Sequence, residues 1–141
     1  MNKIDDLLKK QYYVIDILPE KIQESSDGQF FDVEYYLLNS PKHYAIKDRF
    51  VNVVLKLMCY YHTSMFWNKW IDRPEPVLID NAVNTIMDNH SGTLNILFIE
   101  EQSLLVFDWD CLNLTLYNPS EALIIISEKI AYSEGLFMRN G

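Results

Sequence analysis

The segment that decides the fold is Thr93 to Tyr117, with the sequence TLNILFIEEQSLLVFDWDCLNLTLY. It contains three runs rich in aliphatic residues, separated by short polar turns, and this pattern is typical of an antiparallel meander. The runs are 93–99, 104–108 and 112–117. In the third run Leu112, Leu114 and Leu116 alternate with polar residues, which indicates one buried face. A sheet with one buried face needs a helical layer to cover it.

The residues that follow the meander predict such a helix. Asn118 is a suitable N-cap, Pro119 fits the first helical position because it has no N–H to satisfy, and Glu121 can complete a capping box. Aliphatic residues then recur at three- and four-residue steps between 123 and 130, which gives the helix one apolar face. Gly135 ends this helix, and a short last strand is expected immediately after it.

The first two thirds of the chain add further helices and strands. The elements expected there are a helical turn over 3–10, a strand over 12–18, a short helix over 29–39, a helix from 40 to 61, a strand over 62–67, a loop over 68–76 and a helix over 77–89. Segment 29–39 fits both a strand and a helix pattern, and we favour the helix. Together these elements predict one α+β domain over residues 1–141. We expect a two-layer sandwich with helices packed on one face of a mostly antiparallel sheet.

The net charge of −8 is distributed unevenly along the chain. Residues 1–70 hold nine Lys/Arg and nine Asp/Glu, whereas residues 71–141 hold three Lys/Arg and eleven Asp/Glu. Because binding to a phosphate backbone needs clustered cations, this distribution disfavours nucleic acid as a partner. An acidic surface suits a basic protein partner, although simple solubility is the default explanation.

The N-terminus and the apolar runs predict where the protein is found. Charged residues occupy much of the first ten positions, where a secretory signal peptide would carry an apolar stretch. No run approaches the roughly 18 apolar residues that a membrane span requires. We therefore expect a cytoplasmic protein with no membrane partner. In that compartment Cys59 and Cys111 are expected to be reduced, buried and inert.

The strong sequence signatures of catalysis and cofactor binding are missing. The chain has four glycines and contains neither a phosphate-binding glycine loop nor the HExxH, CxxC, GxSxG or EF-hand patterns. Cys59 and His62 have the spacing of a thiolate–imidazole pair at a helix end, but a buried structural cysteine explains them more simply. His43, His62 and His90 never sit at a ligand spacing. We therefore expect no cofactor, no metal ion and a non-enzymatic function.

Four carboxylates at the turns of the meander are candidate functional residues. Asp108 and Asp110 flank Trp109, and a two-residue step in an extended strand places both on one side. With Glu100 and Glu101 at the preceding turn, they could bind a hard cation or act as an acid–base pair. The alternative is that these charges solubilise the rim of the sheet and prevent strand-to-strand association.

A pair of tryptophans is the candidate anchor for a partner. Trp67 and Trp70 lie within four residues near a loop, and tryptophan is over-represented at binding hot spots. Packing of one or both rings into the core is the simpler explanation. Residues 1–70 hold 13 of the 19 aromatic residues, so an aromatic half is joined to an acidic half. That arrangement would suit a protein that meets another over one broad face.

Segments near both ends of the chain resemble a group of small acidic bacterial proteins of uncharacterised function. The closing segment comprises Leu116–Glu121 and Ala131–Phe137, and the early one comprises Gln11–Pro19 and Gly28–Phe31. These segments have the character of structural motifs, a first strand, a capped helix and a terminal strand. The resemblance therefore implies no activity. This chain also ends in Met138 to Gly141, where the group would carry a tryptophan and a proline.

These observations favour a non-enzymatic protein-binding module. Its size, acidity and charge asymmetry suggest a protein that neutralises a basic partner, in the manner of bacterial immunity proteins. One alternative is a small-molecule binder or hydrolase that uses the carboxylates of the meander. Another is a homo-oligomer whose aromatic surface is its own interface. The partner-binding residues that the sequence suggests are Trp67, Trp70, Asp108, Asp110, Glu100 and Glu101.

Overall fold

The computed structural model describes residues 2–141 of the chain. In chain order the elements are α1 (Asn2–Leu7), β1 (Tyr12–Asp16), α2 (Phe30–Leu38), α3 (Lys42–Met58), β2 (Thr63–Trp67), β3 (Lys69–Asp72), α4 (Pro76–Asn89), β4 (Thr93–Phe98), β5 (Ser103–Asp108), β6 (Asn113–Tyr117), α5 (Glu121–Ser133) and β7 (Phe137–Asn140). The predicted α+β class is confirmed, since these helices accompany one antiparallel sheet. Segment 29–39 forms the helix that the sequence favoured.

The sheet has seven strands in the order β3-β2-β4-β5-β6-β1-β7. The predicted meander, β4 to β6, forms its centre, with Leu94 opposite Phe107 and Phe107 opposite Leu114. The first strand joins the far side of β6, where Ile15 pairs with Leu114. The last strand then pairs with β1 through Ile15 and Met138. The first and last strands therefore lie side by side at one edge of the sheet.

Helices α3, α4 and α5 cover one face of the sheet, which we call the inner face. On β6, Leu114 and Leu116 are completely buried, whereas Asn113, Thr115 and Tyr117, which alternate with them, are only half-buried. Leu123 and Ile130 of α5 belong to the same hydrophobic core. The expected burial of the alternating leucines and of the apolar stripe of α5 is confirmed.

A buried lysine with exposed carboxylate partners links two of these helices. Lys47 of α3 is only 3% exposed, and its Nζ lies 2.8 Å from Asp48 and 3.0 Å from Asp80 of α4. Burial alone would lower the pKa of Lys47, but hydrogen bonds to the two carboxylates outweigh it and raise the pKa above its usual value. The ammonium group is therefore charged, and its cost of burial is offset by its partners.

The opposite face, the outer face, is covered only at one end. Ile4 and Leu7 of α1 pack there on Leu97 and Leu104. The next row across the sheet remains half-buried or exposed. The row consists of residues that pair with one another from strand to strand between β3 and β7. They are Trp70, Phe66, Asn95, Val106, Thr115, Val14 and Arg139. The placement of α1 differs from the expectation that the helices lie on one face.

Strand β3 lies in a segment for which the sequence predicted a loop. Asn68 has a left-handed conformation with φ of 68°, so the chain reverses sharply and β3 pairs with β2, Trp70 opposite Phe66. Asparagine tolerates this conformation better than most residues. The prolines at 74 and 76 end the strand early, and a four-residue edge strand beside two prolines is difficult to distinguish from a loop.

The start of α5 lies two residues later than predicted. Ser120 is the N-cap, and its Oγ accepts a hydrogen bond from the backbone N–H of Leu123 at 3.1 Å. Asn118 instead adopts a left-handed conformation, and its side-chain amide donates to the carbonyl of Gln102 at 3.0 Å. Asn118 is the cap that the sequence predicted, whereas the structure holds this residue at the β4–β5 turn through this bond.

Helix α5 carries one buried and one exposed aliphatic residue, so the effect of burial on stability can be tested within a single helix. Leu123 is 0% exposed and Ile125 is 50% exposed, so the two positions share a helix and differ in burial. We expect Leu123→Ala to lower the free energy of unfolding by about 2–5 kcal/mol because it leaves a cavity. Ile125→Ala should cost less than about 1 kcal/mol. Urea unfolding measures both, and equal losses would contradict this packing.

Candidate functional site

The two candidate tryptophans lie on opposite faces of the sheet. Trp67 at the end of β2 is half-buried and packs against the main core. Trp70 on β3 is 38% exposed on the outer face, and its ring stacks at a tilt on Phe66 with 5.1 Å between centroids. Trp70 is therefore accessible to a partner, whereas Trp67 acts mainly as a core residue.

The four candidate carboxylates do not form one cluster. Glu100 and Glu101 lie in the turn before β5, and Asp108 and Asp110 lie at or after its end. Consecutive turns of a meander lie at opposite ends of the shared strand, which for six residues means about 17 Å. The carboxylate site on which the hydrolase alternative depends is therefore not assembled. Among residues 2–141, no group of three or more His, Cys, Asp and Glu side chains is placed to hold a metal ion.

Asp110 still influences Asp108. Partial burial, and then the negative charge of Asp110, raise the pKa of the Asp108 carboxyl above its usual value of 3.8. The Asp110 side chain accepts a hydrogen bond from the backbone N–H of Leu112 at 3.4 Å, and its carbonyl accepts one from Nε2 of His43. Asp110 thus stabilises the β5–β6 turn against the start of α3, which is a structural role.

This geometry predicts which substitutions change the pKa of Asp108. Asp110→Asn should lower it toward 3.8 without reaching that value, because the contribution of burial remains. Glu100→Gln should leave it unchanged, because a surface charge beyond a Debye length of about 8–10 Å is largely screened. A carboxyl-carbon NMR titration measures each pKa. An equal shift with Glu100→Gln would show that the two turns are close together.

Each histidine has a partner other than a metal or a thiol. Nε2 of His62 lies 2.7 Å from the carboxylate of Asp72, and His90 contacts the ring of Trp109 edge-on, with 5.6 Å between centroids. The hydroxyl of Ser64 also donates to Asp72, at 2.6 Å. The hydrogen bond from Ser64, followed by that from His62, lowers the pKa of Asp72. The spacing of Cys59 and His62 does not produce a thiolate–imidazole pair.

The two cysteines have different environments, and the expectation that both are buried is wrong for Cys59. Cys59 is exposed, and its thiol donates to the carbonyl of Leu55 at 3.6 Å. Its position is on the solvent side of α3 because the buried stripe passes through Val54 and Leu57. Cys111 is buried, and burial raises the pKa of its thiol to about 12.

Thiol reactivity should follow this difference. At neutral pH we expect a disulfide reagent such as DTNB to modify Cys59 rapidly and Cys111 only when the protein unfolds. The released thionitrobenzoate should therefore correspond to one thiol in buffer and two in denaturant. Cys59→Ser should remove the fast reaction completely. Two fast thiols in the native protein would contradict the burial of Cys111.

An exposed aromatic surface that sequence reasoning missed lies on α2. Phe31 is 80% exposed, Tyr35 72% and Tyr36 57%, and no residue of this nine-residue helix is buried. We call these three residues the α2 aromatic surface. Lys42 lies over the ring of Tyr36, 5.8 Å from its centroid. Exposed aromatic clusters of this kind mark interaction sites more often than single exposed residues do.

The other side of α2 holds the helix against the rest of the protein. Phe30 and Leu37 line a cleft whose opposite wall comprises Ile17, Leu18 and Leu112. A helix shorter than about 12 residues is marginal by itself in water, and α2 also contacts α3. The α2 aromatic surface remains 57–80% exposed beside these contacts.

The segment around α2 is strongly acidic. Residues 16–36 hold six acidic residues and one lysine, and each of the six is exposed or half-buried. Residues 1–70 as a whole have balanced charges, because lysine and arginine residues outside 16–36 offset these carboxylates. The aromatic and acidic features therefore occur in one segment of the first half of the chain.

Comparison of this chain with protein-family models, with curated proteins and with solved structures finds no match. The fold and the side chains are therefore the basis for any functional proposal. Among the helices of residues 2–141, none has the length and apolar character to cross a membrane.

Proposed function

We propose that this protein is a non-enzymatic protein-binding module that holds a basic partner through the α2 aromatic surface. The observation that carries this proposal is the exposure of Phe31, Tyr35 and Tyr36 on a helix that packs through its other side. Burial of one large apolar side chain contributes roughly 1.5–3 kcal/mol. A partner that covers these rings would gain that contribution at little conformational cost to this protein.

The charge around the surface supports a basic partner. Six acidic residues lie within 16–36, the segment that also carries the aromatic rings, and arginine and lysine side chains bind both carboxylates and aromatic faces. The position of Lys42 over Tyr36 is an example within the chain. Complementary charge accelerates association and excludes acidic competitors. Neutralisation of a basic protein, as immunity proteins perform, is consistent with these properties.

The same charge argues against self-association through this surface. Two copies that met through α2 would bring their acidic segments together, and facing like charges weaken an interface. A homo-oligomer is therefore the alternative to a basic partner that the experiments below must distinguish. Trp70 and Phe66 on the outer face of the sheet lie on another element and provide an independent position for comparison.

The proposal predicts the effect of removing two rings. For a purified basic partner, Phe31→Ala combined with Tyr35→Ala should weaken binding at least about 30-fold, because truncation of one hot spot typically costs about 2 kcal/mol or more. Tyr60, which is 65% exposed and lies beyond α3, is the matched control, and Tyr60→Ala should leave the affinity unchanged. The Kd should also rise with salt. Calorimetry measures each Kd.

Site-specific cross-linking in cells can supply that partner. A photoreactive phenylalanine at position 35 should cross-link a basic protein, whereas the same residue at position 60 should not. A cross-link at position 35 that joins only two copies of this chain would contradict the proposal and favour the homo-oligomer. A captured partner that binds the double-alanine variant as tightly as the wild-type protein would also contradict it.

A further inference from the structure

A cleft under α2 has features that the aromatic surface does not explain. It lies between α2 and the chain that follows β1, and it offers a space of about 80 Å³, whereas one water needs only roughly 10–15 Å³. Its walls are mainly apolar, formed by Ile17, Leu18, Phe30, Leu37 and Leu112. The space is therefore large enough for an alkyl chain and has walls of matching chemistry.

Two carboxylates also line this apolar cleft. Asp16 accepts a hydrogen bond from Nη1 of Arg139 at 2.9 Å, so one guanidinium–carboxylate pair already exists at this site. Glu34 of α2 is half-buried and has no ion-pair or hydrogen-bond partner among residues 2–141. A carboxylate beside apolar walls attracts a cation more strongly than one in bulk water, because the effective dielectric constant is lower.

We infer that this cleft binds an arginine side chain of the partner, with the methylene groups against the apolar walls and the guanidinium against Glu34. The inference rests on the proposed function and names the chemistry that the partner presents. Arginine fits better than lysine because its planar guanidinium pairs with a carboxylate through two hydrogen bonds and stacks on an aromatic ring. Phe30 in the wall provides such a ring.

The cleft lies beside the α2 aromatic surface on the same helix. Phe31 and Tyr35 point to solvent, while Phe30, Glu34 and Leu37 line the cleft. A basic segment laid along α2 could therefore cover the exposed rings and insert one side chain beneath the helix. Anchor residues in pockets, surrounded by contacts that exclude water, are the usual arrangement at tight interfaces.

A pair of small probes tests this inference on the whole protein. n-Butylguanidinium and n-butylurea have nearly the same shape, and only the former carries a charge. In ¹H–¹⁵N NMR titrations we expect n-butylguanidinium to shift the amide signals of residues around Ile17, Phe30 and Leu112. The same concentration of n-butylurea should shift them much less. Equal shifts with both probes, or shifts confined to other residues, would overturn the inference.

Substitutions on α2 locate the charge that the probe contacts. Glu34→Gln should weaken n-butylguanidinium binding about fivefold, the size expected for one solvent-accessible charge pair. Asp32→Asn is the matched control, because Asp32 is exposed and is not among the residues that line the cleft. It should change the affinity less than twofold. An unchanged affinity with Glu34→Gln would overturn the inference.

The inference and the proposed function can fail separately. If the partner requires Phe31 and Tyr35 but binds the Glu34→Gln variant as tightly as the wild-type protein, the cleft assignment is overturned and the proposed function stands. If n-butylguanidinium binds the cleft through Glu34 while cross-linking at position 35 captures only another copy of the chain, the proposed function is overturned and the cation site stands.

Discussion

Burial of the inner face of the sheet is the interaction on which the rest of the structure depends. The apolar residues of β4, β5, β6 and β1 form a continuous surface, and α3, α4 and α5 cover it. Leu114 lies at the centre of this surface, with Phe107 and Ile15 on either side. Because an apolar surface of this size is unstable in water, the positions of the three long helices follow from it. Even the buried charge of Lys47 is accommodated within that packing through Asp80.

The two shortest helices, α1 and α2, lie elsewhere on the molecule. Helix α1 covers one end of the outer face through Ile4 and Leu7, and α2 lies over the ends of β1 and β6 through Phe30 and Leu37. Helix α2 contacts α3, but none of its residues is buried. Its aromatic side chains at 31, 35 and 36 are exposed to solvent. This exposure is the basis of the proposed contact with a partner.

The distribution of charge in space differs from its distribution along the chain. Counting by halves places the acidic excess after residue 70, yet six carboxylates lie in 16–36, the segment that carries the α2 aromatic surface. The four candidate carboxylates of the second half are separated by the length of β5, with Glu100 and Asp108 near opposite ends of that strand. The electrostatic part of the proposed interaction is therefore assigned to the segment around α2.

The sequence by itself determined the fold class, the meander and the positions of the main helices. Alternation around Leu114 and the helical spacing of apolar residues in α5 are local patterns, and burial on one face follows from them directly. Only the tertiary structure decided which aromatic residues remain in solvent and that Ser120 rather than Asn118 caps α5. The spacing of Phe31, Tyr35 and Leu38 was visible as a helical pattern, but a pattern does not show whether the sheet has room for that face. Exposure depends on competition among all elements for a limited apolar surface, and that competition is settled by contacts between residues distant in sequence.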